Sequence, residues 1–383
     1  MLYTEKINLK YERKIIMKLL YTDVFEKFYC IGSECKDNCC KIGWDIEIDD
    51  DTLDFYNSLE DDMGKKIAGN IYTEDGCHYM KQDNGCPFLN EKGLCSVLLK
   101  YGEDKISEIC AQHPRFYEWF GDYKEAGVGL CCEKTCSLIL EHTQPIEFLT
   151  KQIDEEKDDL EYDELLLNEL LKVRHEIIGV LQNRNITIKD RLKFLTVVGD
   201  KIQEILENED YSKFDDFSVD DLKCHYNVKN NKKEAYSQFL DFYSSLDYIH
   251  GNFEDKLKKT KENLDMILAN EDEFDNYFSE MEYVFEHIMV YNVYRYFLKA
   301  VRNGDGCSPL MYGVLNVILV RAIAMNEYAE NGKLSDEDLL LIIKEYSKEV
   351  EYSADNMEKI SDEIYFGYQN GPFCLNNIIG SIG

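Results

Sequence analysis

The sequence predicts a mainly α-helical fold, in which a loop-rich cysteine metal-binding domain with short elements precedes an all-helical domain. Two observations favour this prediction. Eleven of the 14 cysteines lie between residues 30 and 136. From about residue 141, apolar residues recur at three- and four-residue spacing with charges between them, which is the pattern of amphipathic helices. We therefore expect one domain to end at residue 140 and the next to cover 141–383.

The cysteine-rich half contains short predicted elements. Residues 44–48 alternate apolar and polar side chains, as a half-buried strand does. Residues 49–52 carry Asp and Thr side chains that can cap a following helix. A helix is plausible over 98–110 and should end before Pro114, because the residue preceding a proline is disfavoured in the α conformation. A bound metal could organise a half with so few regular elements.

The second half carries a series of amphipathic stretches, and only five prolines occur in the whole chain. No tandem repeat is present in it. The predicted helices cover residues 160–181, 188–206, 234–248, 253–268, 277–301, 310–328, 336–352 and 357–368.

The charge balance excludes several partners. A formal net charge of −32 argues against nucleic acid, whose phosphates are bound by Lys and Arg, and against an anionic membrane surface. The sequence shows no signal peptide and no run of eighteen apolar residues, so we expect a cytoplasmic protein without a membrane partner. Cytoplasmic thiols are kept reduced, which makes the cysteines poor candidates for disulfides.

The density of cysteines indicates a metal, because thiolate is the ligand that selects iron–sulfur clusters and zinc. The first group has the spacing C-x4-C-x3-C-C, which matches neither a zinc ribbon nor the usual cluster motifs. In an extended backbone, Cys39 and Cys40 would point in opposite directions, so one ion would rarely take both. Histidine is sparse: His78 is expected at the surface, and His113 is expected to pack at a helix end rather than support a ligand.

Several motifs in this half resemble the flagellin lysine N-methylase (FliB-type) family. They are Phe28-Tyr-Cys-Ile-Gly-Ser-Glu-Cys35 with Cys39-Cys40 and Trp44, then Gly85-Cys-Pro-Phe-Leu89, Gly93-Leu-Cys-Ser96, Cys110-Ala-Gln-His-Pro-Arg115 and Leu130-Cys-Cys-Glu133. The wider group of cysteine-rich zinc- or iron-chelating proteins shares some of them, and the long helical half favours the methylase branch. Because family members begin shortly before the first cysteine, residues 1–16 are expected to be a dispensable extension.

The resemblance implies a ligand set, a cofactor and a substrate. It implies a 4Fe–4S cluster, S-adenosylmethionine as methyl donor and flagellin as protein substrate. Eight cysteines exceed the need of one cluster, so zinc as an alternative or second metal stays open. Cys77, Cys131 and Cys136 look like additions, and Glu133-Lys-Thr-Cys136 departs from the Pro-Glu-Ala-Ala of the family. The family cysteines fall on Cys30, Cys35, Cys39, Cys40, Cys86, Cys95, Cys110 and Cys132.

No catalytic or donor-binding residue can be named from the sequence. The chain lacks a G-x-G-x-x-G fingerprint and the C-x3-C-x2-C triplet of radical S-adenosylmethionine enzymes. The predicted helix over 277–301 has acidic and tyrosine side chains that could cradle a lysine, but a tyrosine-rich core stripe is the favoured interpretation. These side chains are Glu282, Glu286, His287, Tyr291, Tyr294, Arg295 and Tyr296.

Three functions are therefore compatible with the sequence. The leading one is a protein lysine N-methyltransferase that modifies flagellin and depends on an iron–sulfur cluster. The alternative is a zinc- or iron-binding module without catalysis, whose helical half docks a partner. The third is a protein in which zinc has a purely structural role.

Overall fold

The computed structural model describes residues 15–44, 46–82, 85–155, 162–214 and 232–370. Most of these residues lie in helices, which confirms the prediction of a mainly α fold. In the first part of the chain the strands and helices are short. They are β1 (Ile15–Thr22), α1 (Asp23–Lys27), β2 (Ile46–Glu47), α2 (Asp50–Asn57), α3 (Asp62–Gly69), β3 (Ile71–Glu74), β4 (Cys77–Met80), α4 (Ser96–Tyr101), α5 (Glu108–Gln112), β5 (Arg115–Phe120), β6 (Tyr123–Val128) and α6 (Glu133–Glu141).

The second part begins with a strand and continues with helices, several of them longer. A five-residue π-helix, Ser347–Glu351, directly follows the helix Asp336–Tyr346. The elements are β7 (Phe148–Glu155), α7 (Glu164–Leu181), α8 (Ile188–Glu207), α9 (Lys232–Ser244), α10 (Gly251–Glu262), α11 (Leu264–Ala269), α12 (Glu271–Phe278), α13 (Tyr283–Tyr296), α14 (Ala300–Asn303), α15 (Ser308–Asn331), α16 (Asp336–Tyr346) and α17 (Ala354–Asn370).

A four-stranded sheet of order β5-β6-β1-β7 joins the two parts of the sequence. β1 pairs in parallel with β6 and in antiparallel with β7 over its full length. Its alternation explains the strand, because Met17, Leu19 and Tyr21 are buried while Ile16 is 70% exposed. This sheet was not predicted from the sequence. Residues 141–383 were expected to be entirely helical, which is wrong at strand β7.

Most predicted helices are present, with ends set by capping side chains. Asp49 caps α2 by accepting the N–H of Thr52, and Thr187 caps α8. The helix predicted over 277–301 is divided, because α12 ends at Phe278 and α13 covers only Tyr283–Tyr296. The stretch predicted over 98–110 is also divided between α4 and α5.

One hydrophobic core extends across the predicted boundary at residues 140 and 141. It includes Phe28, Phe120 and Cys136 from the cysteine-rich part together with α7, α8, α13 and α15. A smaller core of Ile48, Ile67 and Phe88 with their neighbours lies under the cysteine-rich loops. Of the predicted extension 1–16, residues 1–14 lie outside the described residues, and residues 15 and 16 begin β1.

One described helix, α15, is long and apolar enough to cross a membrane by length and composition alone. Of its most apolar window, 94% is buried inside the protein. A helix that is apolar on all sides and packed against α8, α11 and α13 is the central helix of a globular core.

Candidate metal centre

The first cysteine loop is built from tight turns rather than extended backbone. Gly32–Glu34 and Cys39–Lys41 each form a short 3-10 helix. The side chain of Asn38 caps the second by accepting the N–H of Cys40 at 2.9 Å. The prediction that Cys39 and Cys40 point in opposite directions holds only for an extended backbone, so it is wrong for this 3-10 helix. Their two thiols contact each other instead.

A glycine turn brings the second group of cysteines against the first. The N–H of Cys86 donates to the carbonyl of Cys40 at 2.7 Å. Gly85 adopts a φ of +90°, and a Cβ there would lie 3.1 Å from the Cys40 carbonyl oxygen and from the Cα of Lys41. Only glycine combines that backbone conformation with so close an approach. The Gly-Cys-Pro-Phe-Leu motif thus has a local structural reason.

Five of the predicted ligands lie in one region. They are close enough for the charge of one thiolate to change the pKa of a neighbouring thiol. The hydrogen bond from Cys40 lowers the pKa of Cys39 to about 7, and the same contact, with burial, raises the pKa of Cys40. Burial is the main reason why the pKa of Cys86 is raised and why the pKa of Cys110 reaches about 11. The charge of the Cys95 thiol contributes to both increases. Cys110 as a whole residue is exposed, although neighbouring protein atoms desolvate its thiol.

Cys35 and Cys132 form the other side of the region. Burial raises the pKa of Cys35 to about 12, and the charges of Glu133 and Cys132 add to the effect. Burial also raises the pKa of Cys132, which interacts with Cys39 as well. Cys30, the last of the eight, is exposed, and its sulfur accepts the N–H of Gly32 at 3.4 Å.

The additional cysteines have different surroundings. Cys136 is fully buried and donates to the carbonyl of Leu130 at 2.9 Å. Cys131 is also buried, with its sulfur 3.9 Å from Nε2 of His113. Cys77 lies in β4, and Cys307 lies in the helical half beside Gly199. The cysteines in the described part of the chain are free thiols, while Cys224 and Cys374 lie outside it.

The donor chemistry fits a metal centre, although its ligands are not assembled. Reduced, partly buried thiols of this number are the soft donors that iron–sulfur clusters and zinc require. Among the described residues, no three His, Cys, Asp or Glu side chains stand close enough together to hold an ion. Metal binding by such a set is coupled to local ordering of the loops that carry the ligands.

Glu133 anchors the first cysteine loop, a role that no sequence pattern indicated. At the start of α6, its carboxylate accepts the backbone N–H of Lys36 at 2.9 Å and that of Asp37 at 3.2 Å. The thiol of Cys35 donates to the same oxygen at 3.4 Å. These three contacts tie the start of α6 to the backbone and the thiol of the first cysteine loop.

Three aromatic rings pack together where the cysteine-rich part contacts the helical half. Trp44 stacks on Tyr352 with ring centroids 5.5 Å apart and meets His113 edge-on at 5.1 Å. His113 is a packed residue, and its burial lowers its pKa to about 4, so its ring is neutral at pH 7. The hydroxyl of Tyr352 contacts the thiol of Cys131.

The possible lysine cradle on the predicted helix 277–301 is a closed core network. Arg295 is surrounded by four rings, with its guanidinium 4.7 Å from the Phe116 ring and 4.8 Å from that of Tyr352. Its charge is paired with Glu351 at 2.8 Å. Tyr291 donates to the same carboxylate at 2.5 Å, so these groups are already engaged.

Glu286 and His287 of that helix are likewise occupied, whereas Glu282 precedes α13 and is exposed. Glu286 is fully buried and paired with Arg184 at 3.0 Å and Arg191 at 3.1 Å. His287 is 1% exposed, and its Nε2 donates to the carbonyl of His142. The interpretation as a tyrosine-rich core is therefore the one the structure supports.

A separate cavity of about 600 Å³ lies between α7 and the sheet. Its lining includes the rings of Phe120, Tyr123 and Phe148, and Arg174, which is paired with buried Glu125. Its volume is within the range of small-molecule sites. None of the predicted metal ligands lines it.

Comparison with known proteins defines the class to which this arrangement of cysteine loops and helices belongs. Residues 174–376 match the FliB lysine N-methylase C-terminal domain, which is more than half of the 383 residues. The chain therefore belongs to the FliB lysine N-methylase family, and the resemblance noted in its cysteine motifs is confirmed.

Individual relatives match over shorter stretches. The lysine-N-methylase of Salmonella typhimurium (strain LT2) is 29% identical over 140 residues, which cover 33% of each chain. The flagellar biosynthetic protein FliU of Salmonella muenchen is 30% identical over 126 residues, or 30% of this chain and 71% of the relative. The match thus spans about one third of the lysine-N-methylase. No solved structure matches this chain.

Proposed function

We propose that this protein is a cytoplasmic lysine N-methyltransferase that modifies flagellin with S-adenosylmethionine as donor and requires a cysteine-bound iron–sulfur cluster. The observation that carries the proposal is the convergence of Cys39, Cys40, Cys86, Cys95 and Cys110 in a member of the FliB lysine N-methylase family. The relatives named lysine-N-methylase and FliU support a methyl transfer linked to flagella.

The reaction sets clear chemical demands. The neutral amine of a lysine attacks the methyl carbon of the sulfonium, the sulfur–methyl bond breaks, and sulfur keeps the electron pair as the thioether leaves. The proton that the amine releases passes to a base or to water. A bound cluster would supply a soft, anionic metal site able to orient or polarise the donor. The cysteines of the first loop, together with Cys86, Cys95 and Cys110, would hold it.

The surface charge supports a cationic substrate segment. A protein of net charge −32 attracts lysine-rich partners at low ionic strength, and salt screens the attraction. Transfer is therefore expected to weaken at high salt. The alternative, a metal-binding module without catalysis, predicts binding of a partner with no change in its mass.

The test compares four proteins purified without oxygen: iron-loaded wild type, stripped wild type, Cys110→Ser and Cys307→Ser. Each is incubated with S-adenosylmethionine and flagellin, and flagellin mass is followed by mass spectrometry. Methylation by the iron-loaded wild type and Cys307→Ser alone is the expected result. Equal methylation by the stripped protein would make the metal structural, and no methylation by any of them would favour the binding module. Iron, sulfide and zinc analysis of the same samples identifies the metal.

A further inference from the structure

Two buried lysines of the helical half reach into the first cysteine loop. Lys344, in the last turn of α16, donates to the carbonyl of Asp37 at 2.6 Å and is 2.8 Å from its carboxylate. Lys348, in the π-helix, is 3.1 Å from the same carboxylate. The two lysine side chains are 1% and 8% exposed, whereas that of Asp37 is 36% exposed. Lysine is rarely so deeply buried unless its charge is compensated.

The contact involves a residue that lies between two predicted metal ligands in the sequence. Asp37 lies two residues from both Cys35 and Cys39, so the ammonium of Lys344 enters between two predicted ligands. Its field acts on both thiols. It opposes the effect of burial on the pKa of Cys35, and it adds to the effect of the Cys40 hydrogen bond in lowering that of Cys39.

The carboxylate of Asp37 is shared between two ammonium groups, and the nearby carboxylate of Glu133 is engaged by backbone N–H groups. We infer that Lys344 is a positioning residue of the cysteine centre, whose ammonium offsets the negative charge of metal-bound thiolates while its hydrogen bond to the backbone carbonyl of Asp37 holds the loop. The inference rests on the proposed metal binding and goes beyond it, because it assigns a function at the centre to the helical half.

The charge of Lys344 distinguishes this role from a simple clamp. A metal bound by several thiolates carries excess negative charge, and a nearby cation stabilises it and favours the reduced state of a cluster. Loss of the cation should lower the reduction potential and weaken metal binding. Loss of the Asp37 carboxylate should raise the reduction potential and strengthen metal binding. If Lys344 only clamps the loop through Asp37, both changes should weaken binding alike.

The experiment uses full-length Lys344→Met, Asp37→Asn and Lys344→Arg. Lys124→Met is the matched control, because Lys124 is also buried but pairs with Glu155 in the sheet. Zn²⁺ affinity is measured by chelator competition on the reduced apoprotein, and the reduction midpoint on the iron-loaded protein. Lys344→Met should bind Zn²⁺ about 10–100-fold more weakly, the range seen when groups supporting metal ligands are removed, and its midpoint should be more negative. Asp37→Asn should shift both quantities in the opposite direction, and Lys344→Arg should stay near wild type.

Each outcome is decisive. If Lys344→Met is insoluble, Asp37→Asn alone separates the two roles, because the clamp predicts weaker binding and charge compensation predicts tighter binding. Unchanged values, or shifts of the same sign in both variants, overturn the inference and leave the proposed function intact. A wild-type protein that binds neither iron nor zinc through these cysteines overturns the proposed function and the inference with it.

Discussion

Among single residues, His287 couples protonation to folding. Its burial lowers its pKa from 6.5 to about 4, so between these values the unfolded chain binds more protons than the folded protein. The free energy of unfolding should therefore rise with pH over this window. The contribution of His287, up to about 3 kcal/mol, is lost as the pH falls from 6.5 towards 4.

The variant His287→Gln tests this coupling. It should reduce the difference in stability between pH 4 and 6.5, measured by urea unfolding at several pH values, while His113, whose pKa is also lowered to about 4, keeps its own contribution. His175→Gln, at an exposed position on α7, is the control and should retain the wild-type slope. A variant at position 287 with an unchanged slope would show that His287 is not the titrating group.

Gly129 offers a second test at the residue scale. A Cβ at this position would overlap the hydroxyl of Tyr352, whose ring stacks on Trp44. Gly129→Ala should lower the free energy of unfolding by about 1–3 kcal/mol through overpacking, and it should change the fluorescence of Trp44 in a Trp119→Phe background. Gly179→Ala, on α7 with open space around it, should be neutral or slightly stabilising. Equal behaviour of the two variants would contradict the contact.

At the scale of elements, β1 is the first strand of the described chain. Its first two residues pair with the end of β7. Ile16 is exposed, and the side chain of Met17 is fully buried. A protein starting at Met17 should keep its metal content and its melting temperature within a few degrees. A start at Leu20 removes Met17 and Leu19 and should lower the melting temperature markedly. A large loss in the first truncation would show that residues before Met17 are needed.

Sequence patterns predicted the elements whose causes are local. The helix cap at Asp49 and the amphipathic spacing of α7 and α8 depend on neighbouring residues, so they were visible in the sequence. The sheet was missed because β1 and β6 pair across about a hundred residues. The anchoring by Glu133 and Lys344 was missed for the same reason, since neither contact has a local pattern. The eight-cysteine ligand set itself stays a prediction.

For the whole molecule, the shared core determines how the protein unfolds. The strand pair β1–β7 and the main hydrophobic core both cross the boundary expected at residues 140 and 141. We predict that residues 141–383 expressed alone lack fixed tertiary structure, because Phe28, Phe120 and Cys136 would be missing from their core. Near-ultraviolet circular dichroism and thermal unfolding of this fragment and of the full chain provide the measurement. A cooperative transition in the fragment would contradict a shared core.

The contact between Lys344 and Asp37 also sets an order of events during synthesis. The two residues are 307 positions apart, and at about 5–20 residues per second Lys344 leaves the ribosome roughly 15–60 s after Asp37. Throughout that interval the first cysteine loop lacks its buried cations, and its thiols are open to solvent and oxidants. Completion of the loop therefore has to wait until Lys344 has emerged.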